Sequence, residues 1–190
     1  MSYLILALFS YALGVTPSAL LLNVRQGRLG RARLSRHYVP SSQRFTVAGL
    51  DFLKGVAATL IGLFVAGWGG ACTAAVAVNA GGVFPPSVAA TPGARTTGTA
   101  AGSLLILSPL LLLAGVVTFV LVLYFTQYLS LSTALSTVVV MILSFFIRPS
   151  WFILVVILLL GLGVLYLHRN SYARFMRGKE PVYPIRRWLR

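Results

Sequence analysis

Acidic residues are almost missing. Asp51 and Glu180 are the only two in 190 residues, against 16 Lys and Arg. Two carboxylates so far apart exclude a glycosidase-type acid/base pair and a carboxylate metal site. Histidine is as scarce: His37 and His168 lie in basic stretches without a ligand-spaced partner, which leaves no basis for a metal site or a serine triad. The single cysteine, Cys72, sits in an apolar Ala-Gly run. It forms no intrachain disulfide, reads as a small buried hydrophobe and leaves the redox compartment open. Charged residues of both signs amount to 9%, far below the roughly 25% of a soluble domain.

Apolar residues fill the space that charge leaves. They make up 58% of the chain, and mean hydropathy is +0.89, which identifies an all-α integral membrane protein with one polytopic domain over 1–190. The spans are expected at about 3–24, 46–68, 71–85, 99–107, 110–125, 129–147 and 151–167. The first of them follows no positive n-region and precedes a dense basic stretch, so it reads as a retained span and not a cleaved signal. Ser108-Pro109 is a natural break, and the third and fourth spans are short enough to need shelter by protein or a polar cavity.

The cations are clustered. Arg25, Arg28, Arg31, Arg33, Arg36 and Arg44 fill the loop 25–44; seven more, from Arg169 to Arg190, fill the tail 168–190; Lys54, Arg95 and Arg148 stand apart. The positive-inside bias explains both clusters without nucleic acid, and anionic lipid headgroups offer them a second use. With seven segments both clusters are cytoplasmic and the N-terminus is outside. Asp51 and Lys54 are one turn apart, so they are expected to neutralise each other as a structural pair.

The stretch from Asn79 to Ser103, "NAGGVFPPSVAATPGARTTGTAAGS", has the glycines, prolines and threonines of a loop that lets a backbone approach a ligand. Short segments interrupted by Gly and Pro are where membrane proteins place binding sites.

Several fragments resemble, in order and spacing, the bacterial acyl-phosphate:glycerol-3-phosphate acyltransferases of the PlsY type. "YALGVTPSALLL" is similar to that family's first span, "LDFLKG" (Leu50 to Gly55) to its Leu-Asp-x-x-Lys-Gly, and "GGVFPP" to its Gly-His-x-Phe-Pro. "LSPLLLLAGVVTFVLVLYFTQYLSLS" follows the family almost throughout. "HRNSYARFMRGKEP" (His168 to Pro181) resembles its C-terminal His-Arg-x-Asn-Ile-x-Arg with Gly-Thr-Glu-Pro. The resemblance implies seven membrane helices in the bacterial cytoplasmic (inner) membrane and a cytoplasm-facing site. There an acyl group would pass from acyl phosphate to the 1-hydroxyl of glycerol 3-phosphate, without a cofactor or metal.

The chain departs from the family at the groups that handle phosphate. Its first loop, "RLSRHYVPSSQRFTVAG", is shorter than the family's and lacks Ser-Gly-Asn and Thr-Asn, with Ser35 or Ser41-Ser42 as weak stand-ins. Gly82 stands where His belongs, "GARTTGTAAG" replaces Gly-Gly-Lys-Gly with Ala94 and Arg95, and Ser171 aligns with the C-terminal Asn, although Asn170 is adjacent. The expected reading is therefore a catalytically degenerate relative, a pseudoenzyme kept as an accessory or scaffolding subunit beside other membrane proteins and lipids. Two alternatives stay open. One is a divergent but active enzyme using Arg95, Thr96, Thr97 and Thr99; the other is a protein that binds an anionic lipid or phosphate. Ser35, Arg36, Arg95, Asn170, Ser171 and Arg174 are the candidate anion-binding residues. Asp51, Lys54, Phe84, Pro85, Gly102 and Glu180 are expected to serve structure.

Overall fold

The computed structural model describes residues 2–16, 18, 41–84, 95–147 and 150–176. They form helices throughout: α1 (Ser2–Val15), α2 (Ser41–Val83), α3 (Arg95–Leu107), α4 (Pro109–Thr126), α5 (Leu129–Ile147) and α6 (Trp151–Met176). Helix is what a bilayer demands, because no water is available there to satisfy exposed peptide groups. Among the described residues, four stretches are long and apolar enough to cross a membrane: Thr46–Val83, Pro109–Thr126, Leu129–Ile147 and Trp151–Arg169. Large apolar side chains point outward, Phe64 being 81% and Phe146 78% exposed. Such surfaces suit lipid and would not suit water.

Two compact units divide the chain, Met1–Leu107 and Ser108–Arg190. In the first unit, α2 is not one rod. It breaks at Ala66 and Gly67, and Gly67 takes φ 62°, ψ −153°, a region open in practice to glycine alone. The sequence placed this break a few residues later, at 68–71. α1 lies against the second limb (68–83), and the Tyr11 hydroxyl donates to the Phe84 carbonyl at 2.8 Å. α3 lies against the first limb (41–65) along a seam of glycines. A methyl on Gly55 would lie 2.1 Å from the Thr99 carbonyl oxygen, and one on Gly102 equally close to that of Phe52. Only residues without Cβ let the two backbones approach so closely, which is why Gly102 serves packing.

The second unit is α4, α5 and α6 in sequence order. Pro109 opens α4 after an extended Ser108, the position where proline's missing N–H costs nothing. α5 buries Ser130, Ser132, Thr133 and Ser144. Three of these hydroxyls donate to carbonyls three or four residues back: Ser132 to Tyr128 O at 2.8 Å, Thr133 to Ser130 O at 2.8 Å and Ser144 to Met141 O at 2.6 Å. α6 continues to Met176, so the first part of the basic tail is helical where the sequence reading had placed a tail beginning at 168.

Candidate functional site

Polar groups in the first unit gather into two knots. The first joins the end of α1 to the first limb of α2. Lys54 Nζ lies 3.7 Å from Asp51 Oδ1 and donates to the Thr16 carbonyl at 2.7 Å and to the Ser18 hydroxyl. Ser18 in turn donates to Asp51 Oδ1. Asp51 is 2% exposed and the Lys54 side chain 12%, so this is a buried ion pair. The ammonium caps α1 as well, since Thr16 carries one of the last carbonyls that a helix leaves without an internal donor.

The second knot joins α3 to the second limb of α2. Asn79 Nδ2 donates to Ala75 O at 2.8 Å and to Ser103 Oγ at 3.2 Å, while Thr99 Oγ1 donates to Asn79 Oδ1 at 3.1 Å. All three side chains are buried. Asn79 thereby uses both donors and an acceptor lone pair, as a buried amide must to avoid a desolvation cost. The two knots meet through Gly98, whose Cα faces Asp51 and the Ala48 carbonyl. A methyl there would come within 3.0 Å of both.

Much of the stretch read as a loop is thus helix: Asn79 to Val83 closes α2, and Arg95 to Ser103 opens α3. Thr99, expected among the reacting groups, is buried against Asn79. Thr97 is half-buried near the start of α3. Arg95 and Thr96 form the first turn of α3, and Asn170, Ser171 and Arg174 lie in the last turns of α6; the side chains of these five are outside the described residues. So are Ser35, Arg36, Pro85 and Glu180 altogether. Sequence reasoning found Asp51 and Lys54 but missed Ser18 as their buried partner, and it missed the pairing of Asn79 with Thr99 and Ser103. The only signal was a polar residue at an apolar position, Asn79 within "AAVAVNAGG" and Ser18 after Thr-Pro.

The family model described as Glycerol-3-phosphate acyltransferase matches residues 4–178. The glycerol-3-phosphate acyltransferase of Bacillus subtilis is 31% identical over 187 residues, covering 93% of this chain and 95% of its own. This chain belongs to the glycerol-3-phosphate acyltransferase family. The Listeria monocytogenes enzyme of the same name is 30% identical, covering 94% of this chain and 95% of its own. Two crystal structures of PlsY (YgiH), an integral membrane glycerol 3-phosphate acyltransferase, share the fold. The lysophosphatidic acid form has a TM-score of 0.81 at 23% identity over 96% of this chain and 95% of that one. The glycerol 3-phosphate form has a TM-score of 0.82 at 22% identity over 100% and 99%. The chain is a multi-pass protein of the bacterial cytoplasmic membrane.

This overturns the expectation of a degenerate accessory or scaffolding subunit. Similarity to glycerol-3-phosphate acyltransferases runs along residues 4–178, a range that includes the regions where the motifs depart. The departures had been weighed one letter at a time, yet handling two phosphates requires cations and donors in reach, not one residue type at one position. Gly82 illustrates the point. It is buried in the last turn of α2, and the lack of a side chain at this one position does not by itself show that the site has lost its function. The labels pseudoenzyme and accessory subunit fall with that reading.

Proposed function

We propose that this protein is an active acyltransferase of phospholipid synthesis. It would transfer an acyl group from acyl phosphate to the 1-hydroxyl of glycerol 3-phosphate and release lysophosphatidic acid and phosphate. The observation that carries the proposal is the family match over residues 4–178, supported by 31% identity to a glycerol-3-phosphate acyltransferase across nearly the full length of both chains. The substrate hydroxyl oxygen bonds to the acyl carbon, the bond from that carbon to the phosphate oxygen breaks, and the hydroxyl proton leaves with the phosphate. Charge builds on the carbonyl oxygen and on the leaving phosphate, so cations and N–H or O–H donors do most of the work.

Arg95 is the proposed cation facing the leaving phosphate, with the Thr96 and Thr97 hydroxyls beside it in the first turns of α3. That turn also carries backbone N–H groups without intrahelical acceptors. Ser35, Arg36, Asn170, Ser171 and Arg174 are proposed anion-handling groups, while Phe84, Pro85, Gly102 and Glu180 serve structure. Membrane lipids are the partners of such a reaction. Association with other membrane protein subunits is not required by it, and co-purification in mild detergent would reveal any.

Purified protein given acyl phosphate and glycerol 3-phosphate is expected to form lysophosphatidic acid, and its gene to rescue a strain lacking its own acyltransferase. Absence of both, with normal membrane expression, would overturn the proposal. The chain is further proposed to cross the membrane seven times with the N-terminus outside, counting the two limbs of α2 and the short α3 as separate crossings. Cysteine labelling should then find the 25–44 loop and the 168–190 tail both on the cytoplasmic side; labelling from opposite sides would refute this topology.

A further inference from the structure

A buried ion pair is poor value for stability, because desolvation of both charges offsets most of their attraction, and a well-packed apolar pair often does as well. In this chain the pair has a third and a fourth member, and their positions are informative. Ser18 and the Thr16 carbonyl lie just past the end of α1, at the point from which the chain continues into the segment bearing Arg25, Arg28, Arg31, Arg33 and Arg36. Lys54 and Asp51 stand on the first limb of α2, and Gly98 of α3 rests on Asp51, less than one helical turn from Arg95. Thr99, the next residue, is held by Asn79 from the other limb. Two buried polar knots, packed against each other at Gly98, therefore lie at the point where the chain leaves α1 and at the start of α3.

We propose that Ser18, Asp51 and Lys54 are positioning residues for acyl transfer: through Thr16 and Gly98 they hold the chain leaving α1 in register with the start of α3. The inference rests on the proposed acyltransferase activity and adds to it. None of the three touches substrate. The ammonium of Lys54 is committed to Thr16, Ser18 and Asp51, so in spite of its charge it is not one of the cations that meet phosphate. A misplacement of about 1 Å at a binding group costs on the order of 10²-fold in rate when geometry is what the enzyme supplies. Ser35 and Arg36, proposed anion-handling groups, follow on the chain that leaves α1, and binding of the glycerol 3-phosphate headgroup is shared by ground and transition states, so the loss should fall mainly on KM for that substrate.

The test compares Ser18→Ala and Lys54→Arg with the unmodified protein in the same detergent, measuring thermal unfolding and the separate kcat and KM for glycerol 3-phosphate. Lys54→Arg keeps the charge facing Asp51, but a planar guanidinium cannot hold the Thr16 carbonyl and the Ser18 hydroxyl in the same geometry. Both variants are expected to fold, with KM for glycerol 3-phosphate raised roughly 10-fold or more and kcat changed by less than about 3-fold. Ser10→Ala, which removes an equally buried hydroxyl that has no hydrogen-bond partner, should leave both constants unchanged. A folded Ser18→Ala or Lys54→Arg protein with unaltered KM and kcat would overturn the proposal. So would a pure loss of folded yield with normal constants per folded molecule, the signature of a merely structural role. If only one variant folds, it decides alone. An inactive unmodified protein would instead remove the acyltransferase reading itself, which keeps the two failures distinct.

Discussion

Arg95→Ala should lower kcat/KM for acyl transfer by about 10² to 10³, the usual cost of removing one group that stabilises transition-state charge. Alanine is the best helix former, and Arg95 begins a helix that is anchored further along by Thr99 and Ser103. Folding and membrane insertion are therefore expected to survive, so that the loss reports chemistry. Arg95→Lys, which keeps the charge but loses the bidentate fork, should fall between the two. Steady-state kinetics with each substrate varied in turn checks this. Arg95→Ala retaining activity within about threefold would place the phosphate-facing cation elsewhere.

The residues that decide the reaction and those that decide the fold were unequally legible. Long apolar runs, the break at Ser108-Pro109 and the Asp51-Lys54 spacing could be read directly, because bilayer thickness, proline and helical periodicity act locally. The bend at Gly67 could not be placed to the residue. "VAGWGGA" offers three glycines, and only tertiary packing selects the one with positive φ. Nor could the second knot be seen. Asn79 and Thr99 are 20 residues apart, and their contact depends on α2 folding back so that its second limb meets α3. Thr99 was legible as a polar residue in a Gly/Thr stretch, and that made it a candidate for contact with substrate. Its burial against Asn79 was invisible at that level.

Function was misjudged for a related physical reason. A motif compared letter by letter scores a missing His at Gly82 or an Ala at position 94 as a lost group. An anion site is defined by the field and the donors that converge on it, and it tolerates displacement of a cation along the chain as long as reach and orientation are kept. Similarity spread over the whole chain is a better measure of whether the scaffold that aims such groups is kept. The polar knots are part of that scaffold.

Removing one partner of the buried pair should harm the protein more than removing both. Asp51→Ala leaves the Lys54 ammonium, 12% exposed, facing the neutral oxygens of Thr16 and Ser18 without the Asp51 countercharge. Stranding a buried charge in this way costs about 3–5 kcal/mol. Lys54→Ala should be at least as harmful, since Asp51 is the more deeply buried of the two. The double variant Asp51→Ala/Lys54→Ala removes both charges. It keeps the penalty of a cavity and of a Ser18 hydroxyl that has lost its acceptor, about 1–3 kcal/mol for the unsatisfied group, but no stranded charge. Folded yield and thermal unfolding in one detergent should therefore rank the unmodified protein first, the double variant second and the single variants last. A double variant no better than Asp51→Ala would show that the two charges do not compensate each other, and that the end of α1 is held at α2 by the individual hydrogen bonds to Ser18 and Thr16 alone.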